Sequence, residues 1–157
     1  MADSALVVID AQEGYLQKYE TNLLVRINRV IQNADRSGEH VIYVKNTKKL
    51  RSGERTEELA KGLLVLSEYV FCKEQADAFA CKELSELLQE KGVRAVKLVG
   101  IDGNSCIASS ALGAKKLGYE VILLTEGIGV CNTLRFEGTR RRIEEAGIEI
   151  KSEDTSK

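Results

Sequence analysis

The sequence has no proline and no tryptophan, a single histidine (His40) and a single methionine. Without proline, any cis peptide has to be of the non-proline kind, which costs about 2.5–4 kcal/mol and persists mainly at functional sites. Cysteine is sparse: the four residues Cys72, Cys81, Cys106 and Cys131 include no Cys-x-x-Cys pair and are too few for a disulfide-dense mini-domain, so they read as reduced thiols. Long apolar runs are missing. The longest, such as Ala5 to Ile9 and Val121 to Leu124, fall far below the roughly 20 residues that cross a bilayer, so no membrane-spanning segment is expected. The start, Met1-Ala2-Asp3-Ser4, lacks the basic opening and apolar stretch of a secretory signal, so a cytoplasmic location is expected. Charge of one sign is also missing. Lys plus Arg total 23 against 24 Asp plus Glu, and a net charge of −1 offers no chain-wide attraction to polyanions or anionic membranes. Neither nucleic acid nor membrane is an expected partner.

What is present is an ordinary globular composition, 43% hydrophobic and 30% charged over 157 residues, a length that suits one domain spanning 1–157. One junction recurs: a helical amphipathic segment, a glycine, then a short β-branched run. It appears around Gly38, Gly92, Gly118 and Gly147. A glycine just past a helix end adopts the left-handed conformation without steric cost, so each junction reads as a helix stop and a strand start. The runs that follow, Val41 to Val44, Ala95 to Val99 and Val121 to Leu124, are continuously apolar rather than alternating. That pattern suits strands covered on both faces, hence a parallel sheet in a middle layer. With Leu6 to Ile9, Tyr69 to Cys72 and Ile150 added, the expectation is an α/β fold: a three-layer α/β/α sandwich with a mostly parallel sheet of about six strands. The stretch Lys45 to Leu66 reads as a loop near the site, with a short helix from Arg55 to Lys61.

Ligands of open parallel sheets bind beyond the carboxyl ends of the strands. The residues there are Asp10, Lys45 to Thr47, Lys73, Ile101 to Cys106 and Thr125 to Gly129. Cys106 falls in the first turn of a helix, where unpaired N–H groups and the helix dipole favour a thiolate and can hold an oxyanion. A small buried packing residue is the competing role, about equally weighted. Asp10 is placed to accept a proton, although a turn-capping carboxylate is the commoner role there. Lys73 is placed to hold that carboxylate and the thiol, against the plainer role of an exposed strand-end lysine.

Three motifs in order carry a resemblance: Asp10-Ala11-Gln12 with Tyr15 after the first strand, Lys73 followed by Ala78-Phe79, and Gly100 to Ile107 around the cysteine, followed by a small-residue helix. Together they resemble the isochorismatase-like cysteine hydrolase superfamily, which includes nicotinamidases and N-carbamoylsarcosine amidases. The resemblance implies a catalytic triad of Asp10, Lys73 and Cys106, which cleaves a non-peptide C–N bond of a small-molecule amide through a thioester. It implies an oxyanion held by backbone N–H groups near Asp102 and Cys106, with Ile101, Asp102, Gly103 and Ser105 shaping the turn and a non-proline cis peptide within Ile101 to Gly103. Gln12, Tyr15, Asn46 and Phe79 are the substrate-contact candidates, and Ile107 a further pocket-wall candidate. A homo-oligomer, dimer or tetramer, is implied as well.

The departures are specific. Many members have Ala-Thr-Asp where this chain has Asp102-Gly103-Asn104, which adds a carboxylate and a glycine beside the expected oxyanion hole. The histidines that hold a metal in nicotinamidases are missing, since His40 precedes the second strand and the following loop reads Lys45-Asn46-Thr47-Lys48-Lys49. No metal and no cofactor are expected. The basic residues Lys45, Lys48, Lys49, Arg51 and Arg55 read as a solvated loop that can also steer an anionic substrate. Arg140 to Arg142 read as helix surface, Cys72 and Cys81 as packing, and Cys131 as pocket rim. A ligand-binding member without turnover and a vinyl-ether hydrolase of the isochorismatase type are the alternatives to an amidohydrolase.

Overall fold

A computed structural model describes residues 3–47 and 58–153. Six strands form one sheet: β1 (Ser4–Ile9), β2 (His40–Asn46), β3 (Val70–Lys73), β4 (Ala95–Ile101), β5 (Glu120–Gly129) and β6 (Glu149–Lys151). All pair in parallel, in the order β3-β2-β1-β4-β5-β6. The helices are α1 (Glu13–Leu16), α2 (Leu23–Arg36), α3 (Lys82–Glu90), α4 (Cys106–Lys116) and α5 (Thr133–Glu145), with a 3₁₀ turn at Ala78–Ala80.

The expected sandwich is present. Side chains of β1 point alternately to two cores: Leu6 and Val8 pack with Leu23, Ile27, Val30 and Ile31 of α2, whereas Ala5, Val7 and Ile9 pack with Leu84 and Leu88 of α3, Ile107 and Ala111 of α4 and Ile143 of α5. This explains why the strand reads as apolar throughout. Each fully buried Leu or Ile contributes about 1.5–3 kcal/mol, so both faces stabilise the sheet. The glycines after the four long helices take φ between 68° and 98°, closing each helix where the junction pattern expected it.

Three details differ from expectation. β5 runs on through Thr125 to Gly129 instead of ending at Leu124, across a register irregularity against Leu98 and Gly100 of β4. Lys73 is the last residue of β3 rather than the first after it. Of the helix expected from Arg55 to Lys61, residues 55–57 lie outside the described residues, and 58–61 hold a turn and an antiparallel bridge from Leu59 to Gln12 instead. Lys48, Lys49, Arg51 and Arg55 also lie outside the described residues.

The strand order reverses between β1 and β4. A crevice opens at such a switch point beyond the strand ends, and here it falls between Asp10, which follows β1, and the turn after β4.

Candidate active site

Asp10 leaves β1 in the left-handed region, with φ of 57°, a conformation that aspartate tolerates better than most residues. Its backbone N–H donates to the Val44 carbonyl, and the carboxylate is buried at the sheet edge, 3% exposed. Lys73, 4% exposed, reaches the same point from β3. Its Nζ lies 3.4 Å from Asp10 Oδ2 and 3.4 Å from Cys106 Sγ, and donates to the Gln75 carbonyl at 2.9 Å. The three residues nominated from the sequence therefore meet around one ammonium.

The loop that holds Lys73 is tied to the helix that carries the cysteine. Ser110 lies one turn along α4 from Cys106, fully buried, and its Oγ accepts from Ala78 N at 2.8 Å and donates to Ala76 O at 3.3 Å. The Lys73 loop and the Cys106 helix thus share one support.

Burial sets the electrostatics. It pushes the Asp10 carboxyl above the usual carboxylate range, against the opposing pull of Lys73 and of the nearby Cys106 and Asn46 side chains. The Cys106 thiol is pushed up to about 11, first by burial and then by the Asp10 charge, with Lys73 opposing. The helix start is expected to favour a thiolate; burial and the facing carboxylate act the other way, with the ammonium opposing them. Both shifts favour the protonated forms of the carboxyl and the thiol. Asp10 Oδ1 is buried and completes no hydrogen bond of good geometry among the described residues.

The turn before Cys106 is braced. The Ile101–Asp102 peptide is cis. Ser105 N and Ile107 N donate to the Asp102 carbonyl, while among the described residues no acceptor takes the N–H of Asp102 or of Cys106. The Asp102 carboxylate accepts from Tyr19 Oη and Cys131 N on Oδ2, both at 2.9 Å, and from Asn104 N on Oδ1 at 2.8 Å. Burial, then Cys131 and Asp102, push the Tyr19 phenol above its usual value, so its hydroxyl stays a donor. Gly103 presses on Val130 and Phe136, and a Cβ there would come within 2.7 Å of Val130 Cγ2. The Asp102-Gly103-Asn104 sequence therefore builds a turn held on several sides.

A cleft of about 190 Å³ opens onto these groups, lined by Asp10, Tyr15, Lys18, Tyr19, Asn46, Ile101, Asp102, Ser105 and Cys106. Over its whole length the chain shares this architecture with known proteins. The isochorismatase domain model matches residues 4–150. The chain belongs to the isochorismatase family of hydrolases. Its fold is similar to that of the N-carbamoylsarcosine amidase from Thermoplasma acidophilum, with a TM-score of 0.84, 20% identity and 99% of each chain covered. It is also similar to the nicotinamidase from Staphylococcus aureus, with a TM-score of 0.81, 22% identity, and 97% and 100% of the two chains covered. In sequence, 62 residues are 37% identical to a maleamate amidohydrolase from Pseudomonas putida, covering 40% of this chain and 29% of that relative.

Within this member of the isochorismatase family, the nominated contact residues part ways. Tyr15, Asn46, Ile101, Asp102 and Ser105 line the cleft. Gln12 is fully buried behind it, where its amide brackets Asn46 by donating to Asn46 O at 2.9 Å and accepting from Asn46 N at 2.6 Å. Phe79 lies in the core, its ring 5.9 Å from that of Tyr119, and Ile107 is fully buried in the same core. Cys72, expected to pack, is exposed, because β3 is an edge strand; Cys81 is buried and Cys131 exposed. Sequence reasoning missed Lys18 and Tyr19, although both fall within ten residues of the Asp10 strand end. Zinc is bound by the pyrazinamidase of Pyrococcus horikoshii, which has a similar fold. The residues here do not fit that group: His40 starts β2, at the opposite end of the strand from the cleft, and among the described residues no three His, Cys, Asp or Glu side chains group as metal ligands. Among the described residues, no helix is long and apolar enough to cross a membrane.

Proposed function

We propose that the chain is a cysteine-dependent amidohydrolase that cleaves the C–N bond of a small amide through a thioester on Cys106. The observation that carries this reading is the single Lys73 ammonium 3.4 Å from both Asp10 Oδ2 and Cys106 Sγ. Asp10 takes the thiol proton as sulfur attacks the carbonyl carbon, so the S–C bond forms without a free thiolate. The carbonyl electron pair moves to oxygen, where the N–H groups of Asp102 and Cys106 are the donors at hand. Asp10 returns its proton to nitrogen as the C–N bond breaks and ammonia or an amine leaves. Water, deprotonated by the same carboxylate, then cleaves the thioester, and the thiol recovers its proton. A cleft of about 190 Å³ is below the roughly 300–1,000 Å³ of drug-sized pockets and suits a substrate of few atoms.

The test is ammonia release from a panel of small primary amides, with mass spectrometry of the rapidly quenched enzyme to find an acyl adduct on the Cys106 peptide. Turnover lost in Cys106→Ala, Lys73→Ala and Asp10→Asn, each still folded, is the expected result. Wild-type turnover in Cys106→Ala removes the mechanism.

A further inference from the structure

β1 ends at Ile9 and the chain turns away at Asp10, whereas β2 runs on to Asn46. The Val44 carbonyl accepts from Asp10 N, so the backbone groups of residue 46, two positions further, point to the same side past the end of β1. Gln12 fills that place. Fully buried, its carboxamide donates to Asn46 O at 2.9 Å and accepts from Asn46 N at 2.6 Å, as a neighbouring strand would. The bracket engages the Asn46 backbone only. Val44 and Asn46 share one face of β2, the face that packs with α4, and Asn46 stands opposite Lys73 of β3. The order β3-β2-β1 then puts Asn46 between the strand of Lys73 and the strand end that carries Asp10, at the cleft wall.

Lys73 alone holds the carboxylate loosely. Its Nζ is 3.4 Å from Asp10 Oδ2, beyond the roughly 2.7–2.9 Å of a charge-assisted bond, and its 2.9 Å bond goes to the Gln75 carbonyl. The Asn46 side chain acts on the same carboxylate and favours its charged form, a task for its NH2 end, since only that end donates. We propose that Asn46 is a positioning residue for Asp10: its carboxamide, steadied by Gln12, keeps the carboxylate turned toward Cys106. This role rests on the reading of Asp10 as the base, and it replaces the substrate contact expected of Asn46. Lys73 from β3 and Cys106 from α4 are the titratable groups that act on Asp10, while Tyr15, Lys18, Tyr19 and Asp102 share the cleft.

The test labels aspartate carboxyls with carbon-13 and follows the Asp10 resonance, identified by its loss in Asp10→Asn, as pH is raised. Asn46→Leu removes the amide at similar volume and leaves the bracketed backbone in place. The Asp10 midpoint is then expected to rise by about one unit, a tenfold change in acidity. Asn46→Asp sets a second carboxyl of the same shape there and is expected to raise the midpoint at least as far, which keeps the test decisive if the leucine variant does not fold. On the amide panel, kcat of Asn46→Leu at its pH plateau is expected to fall about tenfold with KM little changed, because the group orients the base and does not bind substrate. An unmoved midpoint in both variants overturns the positioning role whatever the turnover, and so does a moved midpoint with wild-type kcat. A raised KM over an unmoved midpoint gives Asn46 to the substrate instead. A moved midpoint in a chain that hydrolyses no amide keeps the hold on Asp10 and removes the amidohydrolase reading.

Discussion

Tyr19 donates its hydroxyl to the Asp102 carboxylate at 2.9 Å, which ties the segment after α1 to the turn that leads into Cys106. A hydrogen bond to a charged acceptor is worth about 1.5–3 kcal/mol, and here it holds the residue whose N–H is the proposed oxyanion donor. Tyr19→Phe is expected to lower amide turnover about tenfold, the equivalent of roughly 1.4 kcal/mol. Alkylation of Cys106 by iodoacetamide proceeds through no oxyanion, so its rate should hold. Asp102→Asn should lose less than Asp102→Ala, because its one amide oxygen can still accept from Tyr19 Oη and Cys131 N, while the Asn104 N–H faces an amide nitrogen that cannot accept. Equal losses in turnover and alkylation for Tyr19→Phe would show that the tyrosine supports the fold rather than the turn.

The raised thiol carries a pH prediction. Between the ordinary cysteine value of 9.0 and the native value of about 11, the unfolded chain has lost the Cys106 proton and the folded chain still holds it. The native state then binds more protons, so stability falls as pH rises through that window. Urea midpoints at pH 8 and pH 11 should differ less for Cys106→Ala than for wild type. A larger pH dependence in the alanine variant would mean that the folded thiol is not raised. Below pH 9, exposed Cys72 and Cys131 should alkylate faster than Cys106.

Much of this was legible in the sequence because parallel α/β folds write themselves in a coarse code. Glycine junctions mark four of the strands and the apolar runs Leu6 to Ile9 and Tyr69 to Cys72 supply the other two, and Asp10, Lys73 and Cys106 then fall among the residues at the strand ends. The sign of the Cys106 shift was not legible. Helix position can be read from spacing, but burial and a carboxylate arriving from a distant strand cannot. Lys18 and Tyr19 were missed for a similar reason: a four-residue helix has too few turns to show a periodic face. Gln12 and Phe79 sit in motifs beside the site, yet their side chains turn into the bracket on Asn46 and into the core.

Ser110 is fully buried and bridges two backbone groups of the loop that follows Lys73. Ser110→Ala strands the Ala78 N–H in the interior, at a cost of about 1–3 kcal/mol. Slackening the loop also frees the Gln75 carbonyl that holds Lys73 Nζ. The expected result is a lower urea midpoint together with a fall in kcat that exceeds any change in KM. A destabilised variant with wild-type kcat would confine Ser110 to the fold.

Gly100 is where β4 comes so close to β1 that a side chain has no room. Its φ is 126°, and a Cβ would overlap the Ile9 carbonyl oxygen and stand 2.8 Å from Ile9 N and C. These are backbone atoms of a paired strand and cannot rotate aside. Ile9 leads directly into Asp10, and Gly100 into the Ile101–Asp102 turn, so the same close approach brings Asp10 and the Cys106 turn together. Gly100→Ala is expected to cost more than about 4 kcal/mol, the range reserved for severe steric or buried-polar lesions. At Gly103 the obstacles are Val130 and Phe136 side chains, which can shift, so Gly103→Ala should cost only about 1–3 kcal/mol. Urea unfolding of the two variants side by side reads the order directly. If Gly100→Ala folds as firmly as Gly103→Ala, the strands have room to part there, and the proximity of Asp10 to Cys106 has to be maintained by Lys73 instead.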